Sequence, residues 1–325
     1  MDLISFSNKK IMIELNNLGN RLHELKSLIN WSKFGPIIEK IRNNKTSKGG
    51  RPNKDNIVML KILILQKWNQ LSDPAIEYMV LDRVSFQDFL EVSYKEVPDF
   101  TTVWYFREQL KNSGIDKEIW TELQRQINYL GFEVKEGHIQ DASFIEAQPG
   151  KKRRSKEFQA EKKGETIEYS EKQKSHIDFD AKFTKKRNRS YCGYKDHTKT
   201  DVDYNFVRDF DVTPANIHDN NIDLCEITDI AMYRDRGYSG VLLKYPQVED
   251  KTMQLKGKNK DWVKALNKAI SKIRCRGERQ FSVIKYIFKG GYTYLKTLER
   301  VKVSQMCVHF AYNLYNLFTY RKSIV

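Results

Sequence analysis

Hydrophobic spacing sets the first 135 positions apart from the rest of the chain. Ile11, Leu15, Leu18, Leu22, Leu25 and Ile29 recur at alternating steps of four and three, which predicts one apolar stripe on a helix. At under three heptads the stripe suits either a short dimer seam or packing against its own domain. Lys48 to Pro52, with two glycines between, reads as a turn or arm. The segment from Asn56 to Gln70 is apolar nearly all round, which predicts a buried helix. Asp73 reads as the cap of the next helix, with Pro74 at its first position. Pro98 and Asp99 signal another helix start, leading into Val103–Arg107. Short helices in series suit a helix-turn-helix that contacts DNA, and equally a plain bundle.

The texture changes at Gly137. His138–Ile145 reads as a strand with Ile139, Asp141, Ser143 and Ile145 on one face. A polar, Lys/Glu-rich stretch from Pro149 to about Ser175 reads as a loop. Two strands, Ser190–Thr200 and Asn205–Val212, are predicted around a turn at Asp201–Tyr204. His218 and Asp219 open a short helix reaching about Thr228. Ile230–Asp235 reads as a strand ended by Arg236 and Gly237, and Thr252–Leu255 as one more. A long helix is expected over roughly Asp261–Phe288. A C-terminal helix over Arg300–Tyr320 would carry Val303, Met306, Phe310, Leu314 and Leu317 on one face. This order implies an α/β class, a mixed sheet flanked by helices, with an all-α N-terminal domain. The expected domains are 1–135 and 136–325.

With 325 residues, 40% of them hydrophobic, the chain can build two or three modest cores. The four cysteines lie far apart, which excludes a C-x-x-C zinc site or a small disulfide framework and suits free thiols in a reducing compartment. The longest apolar run, Ile57–Leu65, is interrupted by Lys61 and is too short to span a bilayer. With no signal-peptide pattern, the expectation is a cytoplasmic protein without a membrane partner. No Gly-rich phosphate loop is present, so no nucleotide cofactor is implied.

Charge changes the picture more. The net +15 is concentrated in two segments: residues 151–199 hold 16 Lys/Arg against 8 Asp/Glu, and residues 251–289 hold 12 against 2. Both are interleaved with Tyr and Phe, which points to a polyanion, and to nucleic acid in particular. In the first segment Lys185, Lys186, Arg187, Arg189 and Lys195 are candidates for DNA contact.

Three acids carry the candidate chemistry. Asp141 sits inside an apolar strand, where a carboxylate is costly unless paired, hydrogen-bonded or metal-bound. Asp235 ends the Ile230–Tyr233 strand, at the edge where ligand sites of open α/β sheets gather. Arg274, Glu278 and Lys285 are spaced by four and seven, so they share one stripe of the long helix. Each acid alone has an ordinary reading, as a turn aspartate or a surface ion pair. Together they suit two divalent cations about 3.5–4 Å apart, clamping the oxygens of an in-line phosphodiester displacement.

The blocks around these acids resemble the DDE transposases of prokaryotic insertion sequences, specifically the insertion-sequence-five family. The resemblance runs over roughly residues 25–320. It is carried by Leu60–Trp68, Leu71–Pro74 and Val97–Trp104 in the N-terminal part. In the remainder it rests on Asp141–Ser143, Ile145–Ala147, Thr213–Asp219, Tyr233–Tyr238 and the helical Arg274, Glu278 and Lys285. It implies a ribonuclease-H-like core, Mg²⁺ or Mn²⁺ dependence with two ions per site, and action on terminal inverted repeats of double-stranded DNA. By the same resemblance Asp141, Asp235 and Glu278 are the catalytic metal ligands, Arg274 and Lys285 face DNA phosphates, and a homodimer forms the synaptic complex. Ser271 stands where related families often carry a Tyr, so that Tyr's role does not transfer. Two other readings stay open: a DNA-binding protein without catalysis, and a nuclease on the same fold that does not join DNA ends.

Overall fold

The computed structural model describes residues 3–42, 52–148, 159–160, 162–165, 169–186, 188–255 and 260–321. The chain divides into two compact units, Met1–Glu133 with Met306–Val325, and Val134–Gln305. The first divide falls between Glu133 and Val134, and Met306–Val325 clusters with the helical residues.

The helical unit contains α1 (Leu3–Asn17), α2 (Arg21–Leu28), α3 (Gly35–Glu39), α4 (Asn56–Trp68), α5 (Asp73–Asp82), α6 (Val84–Leu90), α7 (Phe100–Ser113) and α8 (Asp116–Tyr129). The Ile11–Ile29 stripe is not one helix. Gly19 adopts φ +84°, a conformation costly for other residues, and separates α1 from α2. The α4 helix is buried from Met59 through Gln66, as its apolar run predicts. Its Lys61 amine reaches Glu91 at 2.6 Å and lies 5.5 Å from the Trp31 and Phe89 ring centroids. Ser72 caps α5, rather than Asp73. Asp73 instead accepts from Arg107 and from Gln66. Phe310 stacks on Trp31 with centroids 5.8 Å apart. Lys48–Arg51 of the expected arm lie outside the described residues.

The second unit is built on a mixed sheet: β1 (His138–Ala147), β2 (Lys182–Lys186), β3 (Arg189–Asp201), β4 (Val207–Pro214), β5 (Ala231–Arg234), β6 (Glu249–Thr252) and β7 (Tyr292–Thr293). Its strand order is β2-β3-β1-β5-β6, with β4 also on β3 and β7 also on β1. The pairs β1–β3, β3–β4 and β2–β3 are antiparallel. The pairs β1–β5, β1–β7 and β5–β6 are parallel. The described residues also include α9 (Glu171–Lys174), α10 (Lys260–Tyr286) and α11 (Leu298–Tyr320). β2 and α9 were not foreseen; β2 is short and its outer residues are polar. β6 lies three residues before its expected position.

Alternation along β1 divides its residues between two faces. On the first, Ile139 packs with Val202, Ala231, Tyr233 and Ile270 of α10. Gly277 lets α10 approach closely: a Cβ there would stand 3.0 Å from Ile139 Cγ2. The hydroxyls of Thr198 and Thr200 donate to Gln280 of the same helix. On the second face, Gln140 donates to the Ile222 carbonyl at 2.7 Å and accepts from Leu224 N–H at 3.3 Å. These bonds hold residues 222–224 extended. The helix expected from His218 to Thr228 is therefore only a 3₁₀ turn, Asp219–Asn221. No helix among the described residues is long and apolar enough to cross a membrane.

Candidate active site

The pairing of β1 with β5 ends at Ile139 opposite Tyr233. Asp141 follows that pair by two residues within β1, and Asp235 follows it by two residues just past the end of β5, where each carboxylate feels the other. Farther along the same edge of β1, β7 pairs with Glu146 and Ala147. Residues 140–145 thus form an interval between β5 and β7, and Asp141 lies in it.

Asp141 Oδ2 accepts from Arg274 Nη2 at 2.6 Å, and Oδ1 accepts from Ala142 N–H at 2.8 Å. Burial raises its carboxyl above the usual range against the pull of Arg274, and the negative charges of Asp235 and Asp219 push the same way. Asp235 is half-buried. Its Oδ1 caps the 3₁₀ turn Arg236–Tyr238 by accepting from Gly237 N–H at 2.7 Å.

Glu278 is exposed on α10, one turn from Arg274 and beside Gly277, the residue packed on Ile139. Arg274 pairs with Asp141 of β1, away from its own helix. Among the described residues no three His, Cys, Asp or Glu side chains stand together as a ready metal cage. The donors nonetheless suit a hard divalent cation. They are carboxylate oxygens, and the charges of Asp235 and Asp219 both disfavour the Asp141 carboxylate, which a cation would relieve. At Asp141 the Arg274 guanidinium supplies the positive charge.

The expected DNA contacts divide. Lys285 is exposed, its stem against Gly291, where a Cβ would stand 3.0 Å from Lys285 Cγ. Lys185 is exposed on β2. Arg189 is exposed; it pairs with Glu146 at 3.0 Å and lies 5.0 Å from the Tyr191 ring centroid. Lys195 is a correction: it is 8% exposed, and its amine donates to the Ile217 carbonyl and to Asp219, each at 2.7 Å. Its charge holds the 217–219 segment and is not offered to solvent. Arg187, the Lys186 side chain and residues 151–158 lie outside the described residues.

Two residues near the acids were missed. Asp219 lies within electrostatic reach of Asp141, and burial first, then the charges of Asp219, Asp141 and Asp235, hold the Tyr238 hydroxyl far above its usual range. The signal was present in the blocks Thr213–Asp219 and Tyr233–Tyr238, which were read without assigning these side chains. His218 caps the Asp219–Asn221 turn, accepting from Asn220 N–H at 3.2 Å. His138 faces away from Asp141, as alternation predicts, and meets Asp229 at 3.2 Å. His309 is buried against the Trp120 ring edge.

Two family profiles match the chain. One described as a transposase domain covers residues 11–109, and one described as a transposase DDE domain covers residues 133–314. No solved structure matches it.

Proposed function

Since the chain belongs to the DDE transposase family, we propose that its mixed-sheet unit is a ribonuclease-H-like core that cuts DNA at insertion-sequence ends and joins the freed end to a target. The strand order supports this reading: β1 lies between an antiparallel β3–β4 arm and a parallel β5–β6 arm. The observation that carries it is the approach of Asp141 and Asp235, each two residues beyond the Ile139–Tyr233 pair and within electrostatic reach of the other, with Arg274 bonded to the first acid.

Asp141, Asp235 and Glu278 would hold two Mg²⁺ or Mn²⁺ ions. Bound there, divalent cations lower the pKa of water and draw charge from a scissile phosphate. Arg274 neutralises Asp141 until DNA arrives and then turns its planar donors to a phosphate, as guanidinium geometry favours. Lys285 continues the positive stripe along α10 and holds the backbone farther from the cut. Lys185 and Arg189 extend phosphate contact to the β2–β3 edge. The freed 3′-hydroxyl attacks a target phosphodiester, so one bond breaks for each that forms. The repeats and specificity of the insertion-sequence-five family, and a homodimer pairing two ends, belong to the same proposal.

The test is nicking of a duplex carrying the inverted repeat, in Mg²⁺ and in chelator, with Asp235→Ala beside the wild type. Metal-dependent cutting by the wild type alone is expected. Equal activity in both proteins would remove Asp235 from the mechanism. A monomeric complex carrying both ends would refute the dimer.

A further inference from the structure

Tyr292 and Tyr294 are 39% and 78% exposed, with ring centroids 4.8 Å apart and an interplanar angle of 71°. Tyr292 opens β7 and Tyr294 follows its end, with buried Thr293 between them. The backbone beneath them is fixed. Glu146 N–H donates to the Gly291 carbonyl at 2.9 Å, and Tyr292 N–H donates to Lys289 at 3.3 Å. The buried Gln305 amide donates to the Gly290 carbonyl at 2.8 Å. Tyr294 is therefore held out into solvent on a fixed support, with the partly exposed Tyr292 ring packed at a steep angle beside it.

Their surroundings are cationic. Lys285 lies against Gly291, immediately before Tyr292, and Lys289 is exposed in the same turn. Glu146, the acid paired across from Tyr292, is bonded to Arg189. Cations beside exposed aromatic rings suit a polyanion that also presents flat π faces, which is the character of nucleic acid with unpaired bases. A duplex hides its base faces by stacking and offers phosphates and edges only, so it would use the lysines and leave the rings idle.

The position fits the proposed cut. Asp141 and Glu146 are five strand residues apart, about 17 Å. Arg274 and Lys285 are eleven helix residues apart, about 16 Å. Strand and helix thus span similar lengths from the acids to the tyrosines, equal to about five nucleotides of a B-form strand.

We propose that Tyr292 and Tyr294 are a stacking platform for unpaired bases of the DNA strand leaving the acidic site. This rests on the reading of that site as a DNA-cutting centre. The test measures binding without metal, so it is independent of cleavage. Fluorescence anisotropy would follow a labelled 20-nucleotide oligothymidine and a 20-base-pair duplex in turn. Tyr292→Ala/Tyr294→Ala should weaken oligothymidine binding by about tenfold or more and duplex binding by less than twofold. Tyr294→Trp should keep oligothymidine affinity. Tyr294→Ala alone, at a largely exposed position, should show a partial loss with an unchanged melting temperature. Equal losses on both probes, no loss on either, or a wild type that binds duplex only would each overturn the platform. Metal-dependent nicking that persists alongside such a result would leave the cleavage reading standing.

Discussion

Two aspartate–arginine pairs sit on the same sheet and differ in every respect that matters for function. Asp201, at the end of β3, is fully buried and accepts from Arg208 Nε at 2.7 Å. It also accepts from the backbone N–H groups of Tyr204, Asn205 and Phe206. Asp141 keeps 29% of its side chain exposed and accepts from Arg274 and Ala142 N–H. Burial raises both carboxyls, with an arginine opposing it in each case. The raised pKa therefore does not distinguish them. What does is saturation: Asp201 spends its lone pairs closing the β3–β4 turn, whereas Asp141 keeps coordination capacity beside two like charges.

The comparison can be broken most sharply at Asp141. Asp141→Ala should lower DNA cleavage by roughly a thousandfold or more, measured as single-turnover nicking, while the melting temperature stays close to wild type. Asp201→Ala should do the reverse in kind. It leaves Arg208 buried without its counter-charge and should cost about 3–5 kcal/mol, read from denaturant unfolding. If instead Asp141→Ala unfolds the protein and Asp201→Ala spares it, the assignment of roles is wrong.

His138, across from Asp201 in register, sharpens the structural side. Burial first, then Lys199 and Arg208, depress its imidazole to about 3. The unfolded chain then binds the proton more readily than the folded one. Stability should be fully present above about pH 6.5 and lost as pH falls toward about 3. His138→Gln should flatten that slope in pH-dependent unfolding; an unchanged slope would discharge His138. The smallest effect belongs to Lys285→Ala. It should reduce the salt slope of DNA affinity by about one, with little change in sequence preference. An unaltered slope would place Lys285 off the DNA.

Much of this was legible in residue order because local chemistry decides it. The Asn56–Gln70 run had no polar face to expose, so its burial followed. Alternation in His138–Ile145 correctly set Asp141 and His138 on opposite faces. What failed needed distant partners. Ser72 displaced Asp73 as a cap because Arg107, far along the chain, claimed the aspartate. The helix after His218 did not form because Gln140 takes up the backbone groups of Ile222 and Leu224. Lys195 looked like a surface cation in a basic run, yet Asp219 and Ile217 hold it inside. Asp219 and Tyr238 stood in recognisable blocks, but only the folded sheet brings them near Asp141.

Asp141 and Asp235 are assigned to one metal-dependent cutting site. Mg²⁺-dependent nicking of an inverted-repeat duplex, compared between wild type and Asp235→Ala with DNA binding measured in parallel, tests that assignment most directly. The variant should bind DNA as the wild type does and not cut. Cutting at the wild-type rate by Asp235→Ala, or cutting by the wild type in full chelator, would contradict the assignment.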